Sequence, residues 1–247
     1  MKILVCISKV PDTTTKIQFT NDNKEFDTNN VQFILNPYDE WYALVRALEI
    51  KEAGTAEQVT VINVGPAEND QVIRKALAIG ADDAVRVNMD PKDTYATAVQ
   101  IAQYAKDNDF TLIMTGKETI DYNGSSLGGM VAELMDAPFI SYASHLEMEG
   151  DTAVVTREIE GGSEVMETGL PLVVSAQKGM AEARIPTMRG IMGARTKPLN
   201  VVEPVAASDL TAIAQYELPP EKGDVKLIDP ENVQELIDLL HNEAKVI

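Results

Sequence analysis

Residues Thr115-Gly-Lys-Glu-Thr-Ile-Asp-Tyr-Asn-Gly-Ser-Ser-Leu-Gly128 decide how the rest of the chain is read. Before them stands Phe110-Thr-Leu-Ile-Met114, an apolar run of strand length with β-branched content. After them Leu127, Met130, Val131 and Leu134 recur at the spacing of an amphipathic helix stripe. The stretch is therefore a strand-to-helix connection, dense in Gly, Asn and Ser. Ser125 or Ser126 suits a helix N-cap, and free N–H groups at a helix start attract an anion. Gly124 and Gly128 would let a phosphate approach the backbone closely. The same residues also serve as an ordinary turn, and they match neither Gly-x-Gly-x-x-Gly nor the lysine-containing P-loop.

Working outward, strands and helices alternate. Residues 2 to 8 are a continuous apolar run, read as a buried first strand rather than a signal segment. Lys9-Val-Pro-Asp12 begins a loop, and residues 17 to 34 read as a hairpin-like excursion. Asn36-Pro-Tyr-Asp-Glu40 is a helix start, with Asn36 as N-cap and Pro37 in the first turn. Trp41, Leu44, Val45 and Leu48 form that helix's apolar face. A strand at 59 to 64, a helix ending near Gly80, a strand at 84 to 87 and an alanine-rich helix over 94 to 107 follow. The expected fold class is α/β, with a parallel sheet covered on both faces. Ligands in such sheets sit beyond the carboxyl ends of the strands. Three loops would meet there: Cys6 to Asp12, the Asn36 helix start, and the Gly116 loop.

Past Phe139 the pattern turns to alternation, and Glu160-Gly-Gly-Ser163 reads as a hairpin turn. Leu172 to Ala176 is a further apolar strand. Residues 178 to 197 carry five basic residues against one acid. They also hold Met180, Met188, Ile191 and Met192. The segment is either a solvated loop with packed methionines or a docking loop whose charges steer a partner. After Pro204 the chain loosens, with nine acids and three bases over 205 to 247 and a final amphipathic helix. Residues 1–203 are expected to form one nucleotide-binding domain, and 204–247 an arm.

The composition is that of a globular chain with ample core: 247 residues, 45% hydrophobic and 24% charged. A net charge of −18 argues against nucleic acid and anionic membranes, which select basic surfaces. No apolar run has the length of a membrane span. The lone Cys6 cannot form an internal disulfide and suits a reducing compartment, so a cytoplasmic location is expected. With one cysteine and two distant histidines, His145 and His241, no zinc site is expected.

Several segments, in order, resemble the β subunit of electron-transfer flavoproteins over essentially the whole chain. They are Lys9-Val-Pro-Asp-Thr, Asn36-Pro-Tyr-Asp-Glu, Gly65-Pro, Ala76-Leu-Ala-Ile-Gly-Ala-Asp, Gly116-Lys-Glu-Thr-Ile-Asp, Arg157-Glu-Ile-Glu-Gly-Gly, Leu170-Pro and Arg184-Ile-Pro-Thr-Met-Arg-Gly-Ile-Met. The resemblance implies a Rossmann-like, adenine-nucleotide α-hydrolase-like domain that holds AMP. It also implies pairing with an α subunit that holds most of the FAD, and docking of flavin dehydrogenases such as those acting on acyl-CoA, with electrons leaving to a quinone oxidoreductase. Such a chain is an electron carrier in fatty acid oxidation, not an enzyme.

Carried over, the AMP pocket comprises Cys6, Asn36, Pro37, Tyr38, Asp39, Val64, Gly116, Lys117, Glu118, Thr119, Ile120, Asp121, Tyr122, Asn123, Gly124, Ser125, Ser126 and Leu127. N–H groups of Gly124 to Ser126 would hold the phosphate, and Asp121 the ribose. The docking loop maps to about 181 to 197, with Arg184, Met188, Arg189, Ile191, Met192 and Arg195 facing the partner. Gly193 and Arg189 stand where relatives commonly have lysine and proline, so the dehydrogenase itself is not implied. An electron-bifurcating branch places a second FAD in the β-subunit site. It commonly has Gly-Asp-Thr-Ala-Gln-Val-Gly-Pro where this chain reads Asn123-Gly-Ser-Ser-Leu-Gly-Gly129. A stand-alone nucleotide-hydrolysing domain using Lys117 and Asp121 is the remaining alternative.

Overall fold

The computed structural model describes residues 1–247. In chain order β1 (Lys2–Cys6), β2 (Lys9–Pro11), β3 (Phe19–Thr20), β4 (Glu25–Phe26) and β5 (Phe33–Leu35) lead into α1 (Asp39–Glu52). Then β6 (Gln58–Val64), α2 (Asp70–Ile79), β7 (Asp83–Val87), α3 (Thr94–Asp107), β8 (Leu112–Gly116) and α4 (Leu127–Met135) alternate. β9 (Phe139–Glu149), β10 (Thr152–Ile159), β11 (Gly162–Gly169) and β12 (Leu172–Ala176) follow, then α5 (Met188–Ala194), β13 (Leu199–Val202) and α6 (Val233–Asp238).

One nine-stranded sheet runs β11-β10-β9-β12-β8-β1-β6-β7-β13. The segment from β9 to β13 is parallel throughout, and β10 and β11 extend it as an antiparallel hairpin. β1 shows why the sheet is covered on both sides. Ile3, Val5 and Ile7 join the larger core cluster with Leu44 of α1 and Leu77 of α2, while Leu4 and Cys6 join the other with Ile101 of α3 and Val131 of α4. Period-two alternation sends successive side chains into opposite layers, so an unbroken apolar run is what the centre of such a sheet requires. The expected α/β class and the 94–107 helix stand as read.

From β1 the chain moves outward through β6 and β7, then crosses by α3 to β8 on the other side of β1. The loops after β1 and β8 consequently diverge, opening a crevice at the carboxyl edge. The structure departs from the sequence expectations in three places. Residues 9 to 11 are not simply loop but pair with β5, which places Pro11 in a short outlying ladder. Leu199 to Val202 form the edge strand β13 beside β7, a strand that was not anticipated. Asn36 does not cap α1, because Tyr38 precedes the helix with φ 66° and Asn36 turns inward.

Candidate functional site

The crevice at the carboxyl edge is a cleft of about 430 Å³. Its walls come from Ser8 after β1, Glu40 of α1, residues 91–97 at the start of α3, and the loop between β8 and α4. Of the expected pocket residues it brings together Gly116, Lys117, Glu118, Thr119, Tyr122, Gly124, Ser125, Ser126 and Leu127. Thr211 and Ile213 of the C-terminal arm complete the lining.

The loop between β8 and α4 is shaped by its neighbours. The Lys117 N–H donates to the Ala176 carbonyl at 2.8 Å, extending the β12 pairing by one bond. Gly116 has no room for a side chain, since a Cβ there would lie 2.8 Å from Glu40 Cγ and 2.9 Å from the Glu40 backbone nitrogen. Asn36, with no exposed surface, accepts from the Ile120 N–H at 3.1 Å and donates to the Glu118 carbonyl at 3.3 Å. It therefore braces the loop from behind instead of capping a helix or lining the cleft. Asn123 and Ser125 take the left-handed conformation, with φ 49° and 48°. Two such residues flanking Gly124 wind the backbone tightly ahead of α4.

Ser126 occupies the N-cap position of α4, yet no side chain caps that helix. The N–H groups of its first turn thus remain free for a ligand. By contrast α3, whose start also lines the cleft, is capped by Asp93 through the Ala96 N–H at 2.8 Å. Of these two helix starts, only that of α4 is left without a side-chain cap. The Ser125 hydroxyl does not cap either; it donates to Glu118 at 3.2 Å. Thr115 Oγ1, just before the loop, is buried without a partner, and a Cβ on Gly128 would meet it at 3.0 Å.

Glu40, legible in the sequence only as part of a helix start, is the buried titratable group at the wall of the cleft. It is 3% exposed and accepts from the Ser8 N–H at 2.7 Å and the Ser8 hydroxyl at 2.8 Å. Burial pushes its carboxyl up to about 8, against the lowering effect of the Ser8 bonds and with help from nearby Asp121. At neutral pH Glu40 is therefore mostly protonated and does not repel an anion.

Other expected contacts fall elsewhere. The Cys6 thiol lies in the core between sheet and helices, with burial and then Glu40 pushing its pKa up, and it does not line the cleft. Pro37, Tyr38, Asp39, Val64, Ile120, Asp121 and Asn123 likewise lie outside the lining. Tyr38 is exposed, and Asp39 backs onto Gly116. The α3 start was missed, although it follows β7 at the same carboxyl edge and Asp93 directly precedes a helical stripe. Applying the carboxyl-edge rule to every strand would have found it.

The basic segment divides into two roles. Arg184 donates two bonds to the Glu52 carboxylate, at 2.6 and 2.8 Å, and its carbonyl accepts from Trp41 Nε1 at 3.1 Å. Lys197 closes the end of α2 by donating to the Leu77 and Gly80 carbonyls. Arg184 is thus paired within the chain while its side chain stays partly exposed. Met180 is buried in the core. Met188, Arg189, Ile191 and Met192 are exposed on α5, and Arg195 is exposed just after it. Ile185, just before α5, is 86% exposed.

A mostly parallel sheet with a cleft at its topological switch point defines a doubly wound α/β protein, and comparison with known sequences narrows this. The electron transfer flavoprotein domain family matches residues 24–207. The chain is 36% identical to the electron transfer flavoprotein subunit beta of Bacillus subtilis, over the full length of both. It is 35% identical to the subunit of the same name from Syntrophomonas wolfei, over all of this chain and 98% of that one. The mitochondrial subunit beta of Arabidopsis thaliana is 34% identical over the full length of both. The chain belongs to the electron transfer flavoprotein β-subunit family, whose members are electron carriers rather than enzymes. No helix is long and apolar enough to cross a membrane.

Proposed function

We propose that the chain is the β subunit of a heterodimeric electron-transfer flavoprotein and holds AMP structurally in the switch-point cleft. The uncapped start of α4 carries this reading, because it offers free N–H donors where the cleft is widest in glycine and serine. The volume suits a mononucleotide, and Leu127 and Ile213 supply apolar surface for a base. Lys117 and Glu118 pair at 3.1 Å, which leaves the backbone rather than a free lysine as the main phosphate ligand. FAD is held mainly by an α subunit, on which the arm of residues 204–247 packs with the surface it does not use against this chain, and the complex works in a reducing compartment such as the cytoplasm. The flavin supplies the redox chemistry; this chain binds, orients and docks.

The exposed face of Ile185, Met188, Ile191 and Met192, with Arg189 and Arg195 beside it, receives a flavin dehydrogenase of the acyl-CoA type. Electrons then pass through the FAD to a quinone oxidoreductase. Replacing Met188 by Asp should lower kcat/KM for reduction of the complex by its dehydrogenase about tenfold, as expected for loss of an apolar anchor. Arg189→Glu should slow association and flatten its salt dependence. Co-expression with the α subunit and stopped-flow reduction measure both effects. Wild-type rates in both variants would show that α5 is ordinary surface.

A further inference from the structure

The C-terminal arm is pinned across the cleft at three places. Gln100, 3% exposed on α3, donates to the Val205 carbonyl at 2.9 Å and accepts from the Val205 N–H at 2.8 Å. The Asp93 carboxylate accepts the Leu210 and Thr211 N–H groups at 2.6 and 2.9 Å. Tyr216 stacks on Phe19 with ring centroids 4.8 Å apart, and its N–H donates to the Asn23 carbonyl at 2.7 Å. The Tyr216 hydroxyl lies 3.3 Å from that of Tyr122. Every residue from 203 to 227 is exposed except Tyr216.

Asp93 belongs to the α3 wall of the cleft and Tyr122 to the loop that precedes α4, so the arm joins two separate walls. Between those anchors Thr211 and Ile213 face the cavity. Without the arm, the Asp93 carboxylate at the cleft wall would hold only the Ala96 N–H. The arm's two N–H groups, added to that of Ala96, satisfy its charge and reduce its repulsion of a phosphate.

Resting on the reading of the cleft as an adenine-nucleotide site, we propose that residues 210–216 are a strap that closes it, with Thr211 and Ile213 touching the bound nucleotide and Tyr216 acting as latch. Nucleotide leaves only when the Tyr216 latch opens. Leu218 still borders a pocket with Gln18, Phe19, Asn23 and Asp27, and every residue from 219 to 227 is exposed, so the strap ends beside the latch.

The test uses the purified αβ complex and measures dissociation of labelled AMP into excess unlabelled AMP. Tyr216→Ala should release AMP about fivefold faster or more, the worth of one stacked aromatic pair. Tyr216→Phe, which keeps the ring, should stay within about twofold of wild type. Independently, added AMP should slow chymotryptic cleavage after Leu210 and Tyr216 severalfold in the wild-type complex. Unchanged release from Tyr216→Ala, or cleavage indifferent to AMP, overturns the strap. A wild-type complex that neither contains nor takes up AMP overturns the reading of the site beneath it.

Discussion

Gly116→Ala should empty the cleft and destabilise the protein by about 1–3 kcal/mol, the usual range for forcing a methyl group into filled space. Gly116 ends β8 at the point where α1 comes closest, and an added Cβ would lie 2.9 Å from the Glu40 backbone nitrogen and 3.1 Å from Asp39 Cβ. A flexible side chain could move aside, but the start of a packed helix cannot. Relief requires α1 to withdraw, which pulls Glu40 from Ser8 and Asn36 from the loop it braces. The effect should appear together in two measurements, a lower urea midpoint and loss of AMP from the complex. Wild-type values of both would mean that the loop and α1 are not coupled as described.

The second large effect is a pH dependence centred on Glu40. Its carboxyl titrates at about 8 in the fold against an ordinary value of 4.5, with burial the main cause. Between those two values the folded chain retains a proton that the unfolded chain has released. Stability contributed by this group is therefore greatest below about 4.5 and declines as pH rises towards 8, by a total on the order of a few kcal/mol. Glu40→Gln keeps an acceptor for the Ser8 N–H and removes the ionisation. Urea unfolding at pH 6 and pH 8.5 should show the variant gaining on wild type at the higher pH. Nucleotide affinity should follow, since an ionised Glu40 repels phosphate and a glutamine does not. Parallel pH profiles of variant and wild type would contradict the assignment.

The central architecture was legible because its signals are strong and mutually consistent. The β1 run, the stripe of α4 and the glycine-rich loop each point to a covered parallel sheet with its crevice at the carboxyl edge. The misses have physical causes. β13 is four residues long and half exposed, so its pairing with β7 is set by the sheet and not by local pattern. Asn36 has the residue type and position of a cap. Only the tertiary fold decides that its amide serves residues 118 and 120 instead. Cys6 sits at the carboxyl end of β1, but alternation turns its side chain into the layer containing α3 and α4. The pairing of Arg184 with Glu52, 132 residues earlier, has no local signal at all. The strap was least legible of all, because residues 203–227 carry no periodic signal and are recognised only by what they touch.

The most direct test of the account is the nucleotide content of the co-purified αβ complex, released by denaturation and quantified by chromatography and absorbance. The expected content is one FAD and one AMP per heterodimer, the flavin on the α subunit and the AMP in the cleft between β1 and β8. Two FAD and no AMP would contradict it, making the cleft a redox site of the electron-bifurcating kind.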